Sequence, residues 1–470
     1  MAGVYRYSTV LDIGRTFCRT GTGAVLRRLP IDYQVAVEDM SYVMVFGAGV
    51  TGQAVTSVLS AEGLEVMMID DAVLSPEMEE LESFIEGASQ VVVSPGVPLS
   101  HPVHKLAAGK LISEIGLARP RIKIPFVAVT GTNGKTTVVT LVTRMLMESG
   151  MRVQAAGNIG TPLISVDTSS LDVVVAELSS FQLATTPGLA PDVGAWLNFQ
   201  PDHLDWHRDI NDYRLSKARI WQGIGDKSVI VANAHDQVVM SEARKAQHSG
   251  ARMVTWGGGN GMWRRVGDML VSPEGDELIA VDSLYRSMPH DVDNALAAMA
   301  IATSTGASIE GCMKGLLQFH GLPHRVESIA DCNGVEYIDD SKSTTPSSTA
   351  VAIAGIGDTY GQGKIVLIAG GRNKGLDIGM LRDYARFLKA MVSIGEAASE
   401  IKSAMSGICP VTIAESMQDA VNVATDLVGD YGVVLLSPAC SSYDWYQSYA
   451  ERGDDFRACV METIRNGGHL

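Results

Sequence analysis

Val129-Thr130-Gly131-Thr132-Asn133-Gly134-Lys135-Thr136-Thr137 decides the fold. The run Phe126 to Val129 reads as a strand that feeds a glycine turn, and the turn ends in Gly-Lys-Thr at the start of a helix. That context suits a phosphate cradle. Glycines let backbone N–H groups approach phosphate oxygens, Lys135 can reach β- and γ-phosphates, and the Thr136 hydroxyl can ligate Mg²⁺. Gly131, Thr132, Asn133, Gly134 and Thr137 make up the rest of the expected cradle. The spacing departs from GxxxxGKS/T, because Val129 stands where the first glycine would be. The plainer alternative, a capped helix start with an exposed lysine, leaves the preceding strand unexplained.

On the N-terminal side, Val43 to Phe46 reads as a strand, Gly47-Ala48-Gly49-Val50-Thr51-Gly52 as a turn, and the amphipathic stretch to Gly63 as a helix. A strand from Glu65 to Ile69 then ends in Asp70-Asp71, where a Rossmann-type unit places a carboxylate for a ribose or base. A third strand, Gln90 to Val93, runs into Ser94-Pro95-Gly96. Ala118-Arg119-Pro120-Arg121 breaks the periodicity and reads as a linker.

On the C-terminal side, strands are expected at Asp172 to Ala176, Ala195 to Asn198 and Val229 to Ala232. After the punctuation Gly321-Leu322-Pro323-His324-Arg325, more follow at Val335 to Ile338, Ile365 to Ile368, Met391 to Ile394 and Val433 to Leu436. The fold class expected is α/β with three domains. These are a Rossmann-like N-terminal domain (42–118), a central P-loop ATPase-type parallel sheet (119–324) and a C-terminal Rossmann-like domain (325–470), behind a peripheral extension (1–41). A length of 470 residues agrees, since one core rarely serves so long a chain.

Composition narrows the classes. With 46% hydrophobic and 19% charged residues the chain reads as a packed enzyme, not as a disordered one. A net charge of −16 repels phosphate backbones and anionic lipid, so neither nucleic acid nor membrane is an expected partner. No apolar run of about 18 residues suggests a membrane span, and the first forty residues lack the pattern of a secretory signal. The six cysteines, Cys18, Cys312, Cys332, Cys409, Cys440 and Cys459, have no metal-ligand spacing. A reduced, cytoplasmic setting follows.

Three further residues lie where open α/β sheets gather ligands. Glu177 sits at the end of a strand, His203 follows another in Asn198-Phe199-Gln200-Pro201-Asp202-His203, and Lys217 belongs to the helical-looking Tyr213-Arg214-Leu215-Ser216-Lys217. Singly, His203 and Lys217 read as surface residues. Together with the phosphate turn they form a constellation.

The runs GTNGKTT, ELSSFQL, LNFQPDHLDWH, YRLSKARI, GLPHRVE, DDSKSTT, GGRNKG and LLSPACSSYDWYQSYAERGDDF resemble, in order and spacing, those of the Mur ligases over residues 42 to 470. The early GxGxTG, ELSSFQL, GGRNKG and SPACxS point to the branch that adds D-glutamate. The resemblance implies an ATP-dependent ligase that activates the carboxylate of UDP-N-acetylmuramoyl-L-alanine as an acyl phosphate and joins it to D-glutamate. ATP and Mg²⁺ are the implied cofactors, and a monomer is expected. A sister Mur ligase or folylpolyglutamate-type synthase is the near alternative, and a non-catalytic nucleotide-binding protein the far one.

Residue by residue, the resemblance implies that Lys135 and Thr136 hold ATP phosphates and Mg²⁺. Glu177, His203 and Lys217 would help ligate metal, Lys217 as a carbamylated lysine. Asn294 and Arg325 would meet the nucleotide. Gly49, Val50, Thr51, Asp70, Ser94 and Gly96 would form the uridine site, and Asn158 would meet the muramoyl substrate. Lys342, Thr344, Lys374, Ser442 and Tyr449 would hold D-glutamate, with Tyr449 standing where the family often has Phe. A second departure concerns the HNxxN run near the adenine, which reads here His290-Asp291-Val292-Asp293-Asn294, so Asp291 replaces an amide. Closure about Pro323 to Arg325, excluding water from the acyl phosphate, is also expected.

Overall fold

A computed structural model of the chain describes residues 42–71, 78–204, 206–257 and 259–466, so the expected extension 1–41 lies outside the described residues. Contacts divide the chain into two compact units. The first takes in the described residues up to Phe199, with Trp206–Arg264 and Ala297–Gly315; the second takes in Gln200–Asp205, Arg265–Leu296 and the chain from Leu316. Among the described residues no helix is long and apolar enough to cross a membrane.

The first unit holds two parallel sheets. Strands β1 (Tyr42–Phe46), β2 (Val66–Ile69), β3 (Ala88–Val93) and β4 (Leu111–Ile112) pair in the order β2-β1-β3-β4. Strands β5 (Phe126–Thr130), β6 (Val153–Gly157), β7 (Val173–Glu177), β8 (Val193–Trp196), β9 (Val229–Asn233) and β10 (Arg252–Trp256) pair in the order β10-β9-β8-β5-β7-β6. All five residues of β5 and of β7 are buried. Continuous apolar runs of this kind belong to parallel strands covered on both faces. The helix Lys135–Glu148 covers the sheet with Val138, Val139, Leu141, Val142, Met145 and Leu146, spaced as one helical stripe.

The expected linker at Arg119 to Arg121 is docked. The Arg119 guanidinium donates to the carbonyls of Leu189, Ala190 and Ile122, and Arg121 pairs with Glu62 at 2.7 Å. One apolar cluster, including Val43, Val55, Ile115, Phe126 and Val174, joins elements of both sheets. Periodicity breaks at Pro120 because the chain passes from one sheet to the next here, with no buried residue from Arg119 to Arg121.

In the chain that follows, β11 (Arg264–Val266), β12 (Met269–Val271) and β13 (Glu277–Ala280) form a small sheet. The second unit is built on β14 (Glu327–Cys332), β15 (Val335–Asp339), β16 (Ile365–Gly370), β17 (Leu388–Ile394), β18 (Val411–Ile413) and β19 (Gly432–Ala439). Their order is β14-β15-β19-β16-β17-β18, with β14 antiparallel to β15 and the other pairs parallel. Apolar clusters cover both faces. The chain thus has the α/β class expected of it, with parallel sheets.

Arg452, on the last helix, is almost fully buried at the C-terminal ends of these strands. Its guanidinium donates to the Ser341 hydroxyl at 3.0 Å and to the carbonyls of Ser341 at 2.9 Å, Cys440 at 3.1 Å and Gly370 at 3.4 Å. It ties together the loops that follow β15, β16 and β19. Burial holds its pKa down at about 10.

Two predictions follow from this packing. Arg452→Met leaves several buried acceptors without a donor and should lower the unfolding free energy of the second unit by about 3 kcal/mol, read from denaturant midpoints. Glu114 is buried, and its carboxylate accepts from the Ile164 N–H at 2.7 Å; burial raises its pKa to about 7. Between the ordinary carboxylate range and about pH 7 the folded chain therefore retains a proton that the unfolded chain has lost, so stability falls as pH rises through that window. Glu114→Gln should remove this slope, and thermal unfolding at pH 5 and pH 8 should show the variant gaining on the parent at the higher pH.

Candidate active site

β5 ends at Thr130, and the glycine turn carries the chain into the helix at Lys135, with Gly134 as N-cap at φ +80°, a left-handed value that suits glycine. Asn198, just past β8, shapes the turn. Its side-chain oxygen accepts from the N–H groups of Thr132 and Asn133 at 3.0 and 2.8 Å, and its amide donates to the Asn133 carbonyl at 3.1 Å. The sequence alone gives Asn198 no role; its position near the C-terminal end of β8, the ligand end of the sheet, is the signal that could have found it.

Lys135 Nζ donates to the carbonyls of Gly131 and Thr132, both at 2.9 Å. Lys217 Nζ donates to the same Gly131 carbonyl at 2.7 Å. The helix Ile210–Ala218, capped by the Asp209 side chain on Asp212 N–H, buries Tyr213, Ser216 and Lys217 on one face. Lys217 is 1% exposed, with its Nζ 4.9 Å from the centre of the Tyr213 ring. Two amines so close to one oxygen repel each other when charged, and a phosphate, or conversion of one amine to an anion, relieves that repulsion.

Glu177 closes β7 one strand from the turn, paired with Val129 on β5 and Gly157 on β6. Its Oε1 accepts from Asn158 Nδ2 at 2.8 Å, and its carbonyl accepts from Asn158 N–H at 2.8 Å. Its Oε2 is buried, with no hydrogen-bond partner among the described residues. A Cβ on Gly157, at φ +100°, would lie 2.4 Å from the Glu177 carbonyl oxygen, so only glycine lets β6 approach here. An orphaned buried carboxylate oxygen beside a phosphate-type turn fits a hard divalent cation such as Mg²⁺, which takes oxygen ligands.

Lys135, Thr136, Glu177, Asn158 and Lys217 therefore belong to one edge of one sheet. His203 lies in the short segment that groups with the second unit. Its backbone is left-handed at φ +55°, and its Nε2 is 3.4 Å from the Asp202 carboxylate. His207, which sequence reasoning passed over, is fully buried, bonded to the Ser180 hydroxyl at 2.9 Å and to Asp212 at 3.1 Å. It braces the Lys217 helix.

In the first sheet, Gly49, Val50 and Thr51 follow β1, Asp70 follows β2, and Ser94 and Gly96 follow β3, all at the C-terminal ends of neighbouring strands. Asp70 Oδ2 accepts from Ala48 N–H at 2.6 Å, and Ser94 Oγ donates to the Gly47 carbonyl at 3.0 Å. In the second unit, Lys342 and Thr344 follow β15, Lys374 follows β16, and Ser442 follows β19, three adjacent strands. Lys342 Nζ lies 4.8 Å from the centre of the Tyr449 ring, Ser442 is buried, and Lys374 is exposed. Asn294 lies on the helix Pro289–Ser304, and Asp291 of the same helix is engaged by Arg286.

Residues 129–302 match the Mur ligase middle domain, and residues 324–440 match the Mur ligase glutamate ligase domain. The UDP-N-acetylmuramoylalanine–D-glutamate ligase of Legionella pneumophila (strain Lens) is 36% identical over 447 residues, 89% of this chain and 99% of that protein. The protein of the same name from Hahella chejuensis is 33% identical over 89% of this chain and 97% of its own length. Among solved structures, MurF from Acinetobacter baumannii matches with a TM-score of 0.60 at 20% identity, covering 83% of this chain and 89% of that one. MurC from Thermotoga maritima matches with a TM-score of 0.59 at 18% identity, covering 90% and 99%. The structural matches speak for the fold alone; the sequence relatives carry the family, and this chain belongs to the Mur ligases.

Proposed function

We propose that this chain is an ATP-dependent ligase that adds D-glutamate to UDP-N-acetylmuramoyl-L-alanine in peptidoglycan precursor synthesis. The observation that carries the reading is the convergence of Lys135 and Lys217 on one carbonyl, one strand from the Oε2 of Glu177, which is buried and has no partner among the described residues. Relatives at 33 to 36% identity, each spanned nearly end to end, carry the D-glutamate name, whereas the MurF and MurC structures are no more than 20% identical. The names of those sequence relatives favour the D-glutamate branch over a sister ligase or a folylpolyglutamate-type synthase.

In this reading a carboxylate oxygen of UDP-N-acetylmuramoyl-L-alanine attacks the γ-phosphorus of ATP. The bond to the ADP oxygen breaks, and an acyl phosphate forms. The D-glutamate amine then attacks the acyl carbon, loses a proton, and phosphate leaves. Lys135 and the helix N-terminus behind Gly134 stabilise the charge that develops on the phosphoryl oxygens. Thr136, Glu177, His203 and Lys217 would hold Mg²⁺, which supplies Lewis-acid neutralisation of phosphate charge. Lys217 serves as a carbamate: CO₂ bonds to its neutral Nζ, one proton is released, and an amine becomes an oxygen donor. Asn158, bonded to Glu177, meets the muramoyl substrate.

The residues after β1, β2 and β3 bind the uridine nucleotide, Asn294 and Arg325 serve the nucleotide of ATP, and Lys342, Thr344, Lys374, Ser442 and Tyr449 hold D-glutamate. Two cations and several hydroxyls suit a dicarboxylic amino acid. Three domains, 42–118, 119–324 and 325–470, would divide these tasks in a cytoplasmic monomer that acts on small molecules. A nucleotide-binding protein without ligase activity would have no use for a lysine buried as fully as Lys217.

Phosphate release from ATP with UDP-N-acetylmuramoyl-L-alanine as acceptor should depend on D-glutamate and not on L-alanine, L-lysine or L-glutamate; dependence on another of these would move the chain to a sister activity. Lys217→Ala should abolish turnover, and a small carboxylic acid should restore part of it; full activity in the variant would remove the carbamate. Glu177→Gln keeps an acceptor for Asn158 and should leave thermal unfolding within a few degrees of the parent. Its turnover should fall by at least about 100-fold, in line with the several kcal/mol a bound metal supplies.

A further inference from the structure

Arg325 stands between two non-glycine residues with left-handed backbones, His324 at φ +60° and Val326 at φ +48°. A β-branched residue in that region is an outlier, and it persists only where its surroundings hold it. Here every neighbour contributes. The His324 carbonyl accepts from Lys342 N–H at 3.1 Å, and His324 N–H donates to Glu327 at 3.0 Å. The His324 ring is bonded to Asp339 at 2.7 Å, and Val326 N–H donates to Asp340 Oδ1 at 3.2 Å. The carbonyls of Arg325 and Val326 both accept from one nitrogen, Arg286 Nη1, at 2.9 and 2.5 Å.

Arg286 does not hold this position by itself. Asp291 grips the other edge of its guanidinium in a two-point contact, Nε to Oδ2 at 2.7 Å and Nη2 to Oδ1 at 2.8 Å. Both side chains are largely buried, at 21% and 12% exposure. A guanidinium fixed by a carboxylate on one edge has its remaining nitrogen directed by geometry. An asparagine at 291 offers one neutral acceptor in place of two charged ones, so the aspartate is the residue type this arrangement requires.

We propose that Arg286 and Asp291 are positioning residues for nucleotide binding: the pair fixes the two left-handed bends that present Arg325. This rests on the reading of Arg325 as a nucleotide contact, and it gives Asp291 a task other than touching the base. The pair acts on main-chain carbonyls, and Arg325 acts on the ligand.

The test uses the full chain and binding of a non-hydrolysable ATP analogue by calorimetry, alongside KM for ATP, kcat and thermal unfolding. Arg286→Met and Asp291→Asn should each weaken analogue binding and raise KM for ATP by about tenfold with a smaller change in kcat, a coupling size usual for contacting residues. The double variant should be no worse than the weaker-binding single variant. Arg286→Met placed in an Arg325→Met background should add no further loss. Arg286→Lys, which keeps the charge but not the two-edged fork, should fall between parent and Arg286→Met, and it serves if Arg286→Met fails to fold. Unchanged analogue binding with only a lower unfolding temperature would overturn the proposal, as would losses from Arg286→Met and Asp291→Asn that multiply. A parent chain that binds the analogue yet forms no peptide bond would sink the ligase reading while leaving this binding comparison intact.

Discussion

The pairing of Glu177 with Val129 on one side and Gly157 on the other is the constraint on which the central site depends. A strand buried on both faces must be apolar along its length, and β7 is Val-Val-Val-Ala until its last residue. The carboxylate therefore emerges only where the sheet ends, beside the turn that follows β5. Gly157 is what allows β6 to approach, since any side chain there would collide with the Glu177 carbonyl. Asn158, one residue on, then reaches the carboxylate.

The same edge explains why two lysines from different helices meet. Lys135 begins the helix after β5, and Lys217 comes from a helix whose buried stripe is set by Tyr213 and Ser216 and whose start is fixed by Asp209 and the His207–Asp212 contact. Both amines use the Gly131 carbonyl. The second unit repeats the logic with different chemistry. Adjacent parallel strands β15, β19 and β16 release their loops at one edge, and a buried arginine, Arg452, bonds all three loops at once.

Much of this was legible in the chain. The apolar cores of β1, β5, β7, β9, β15, β16 and β19 could be read because burial on both faces leaves long Val/Ile/Leu runs. The phosphate turn could be read because glycines and a Gly-Lys-Thr ending carry their own local geometry. The strands not foreseen were mostly those lacking such a run: β6, which is Val-Gln-Ala-Ala-Gly; β10, with Arg252 exposed; the short β4, β11, β12, β13 and β18; and β14, half-exposed at the sheet edge. Their pairing comes from the neighbouring strand and not from their own composition. The bonds made by Arg119 and Arg121 could not be read for a related reason, since Leu189, Ala190 and Glu62 lie far from them in the chain.

The sequence by itself determined the α/β class and the phosphate turn, because each rests on local chemistry: apolar runs, glycine turns, and residue types at strand ends; most of the other candidate residues came from the resemblance of its motifs to a family. Only the tertiary structure decided that Lys135 and Lys217 share a carbonyl, that one oxygen of Glu177 has no partner among the described residues, that Asn198 shapes the turn, and that Asp291 grips Arg286. These relations join residues tens of positions apart, or pit one hydrogen-bond partner against another. Their outcome depends on strand order and register, which no single segment carries.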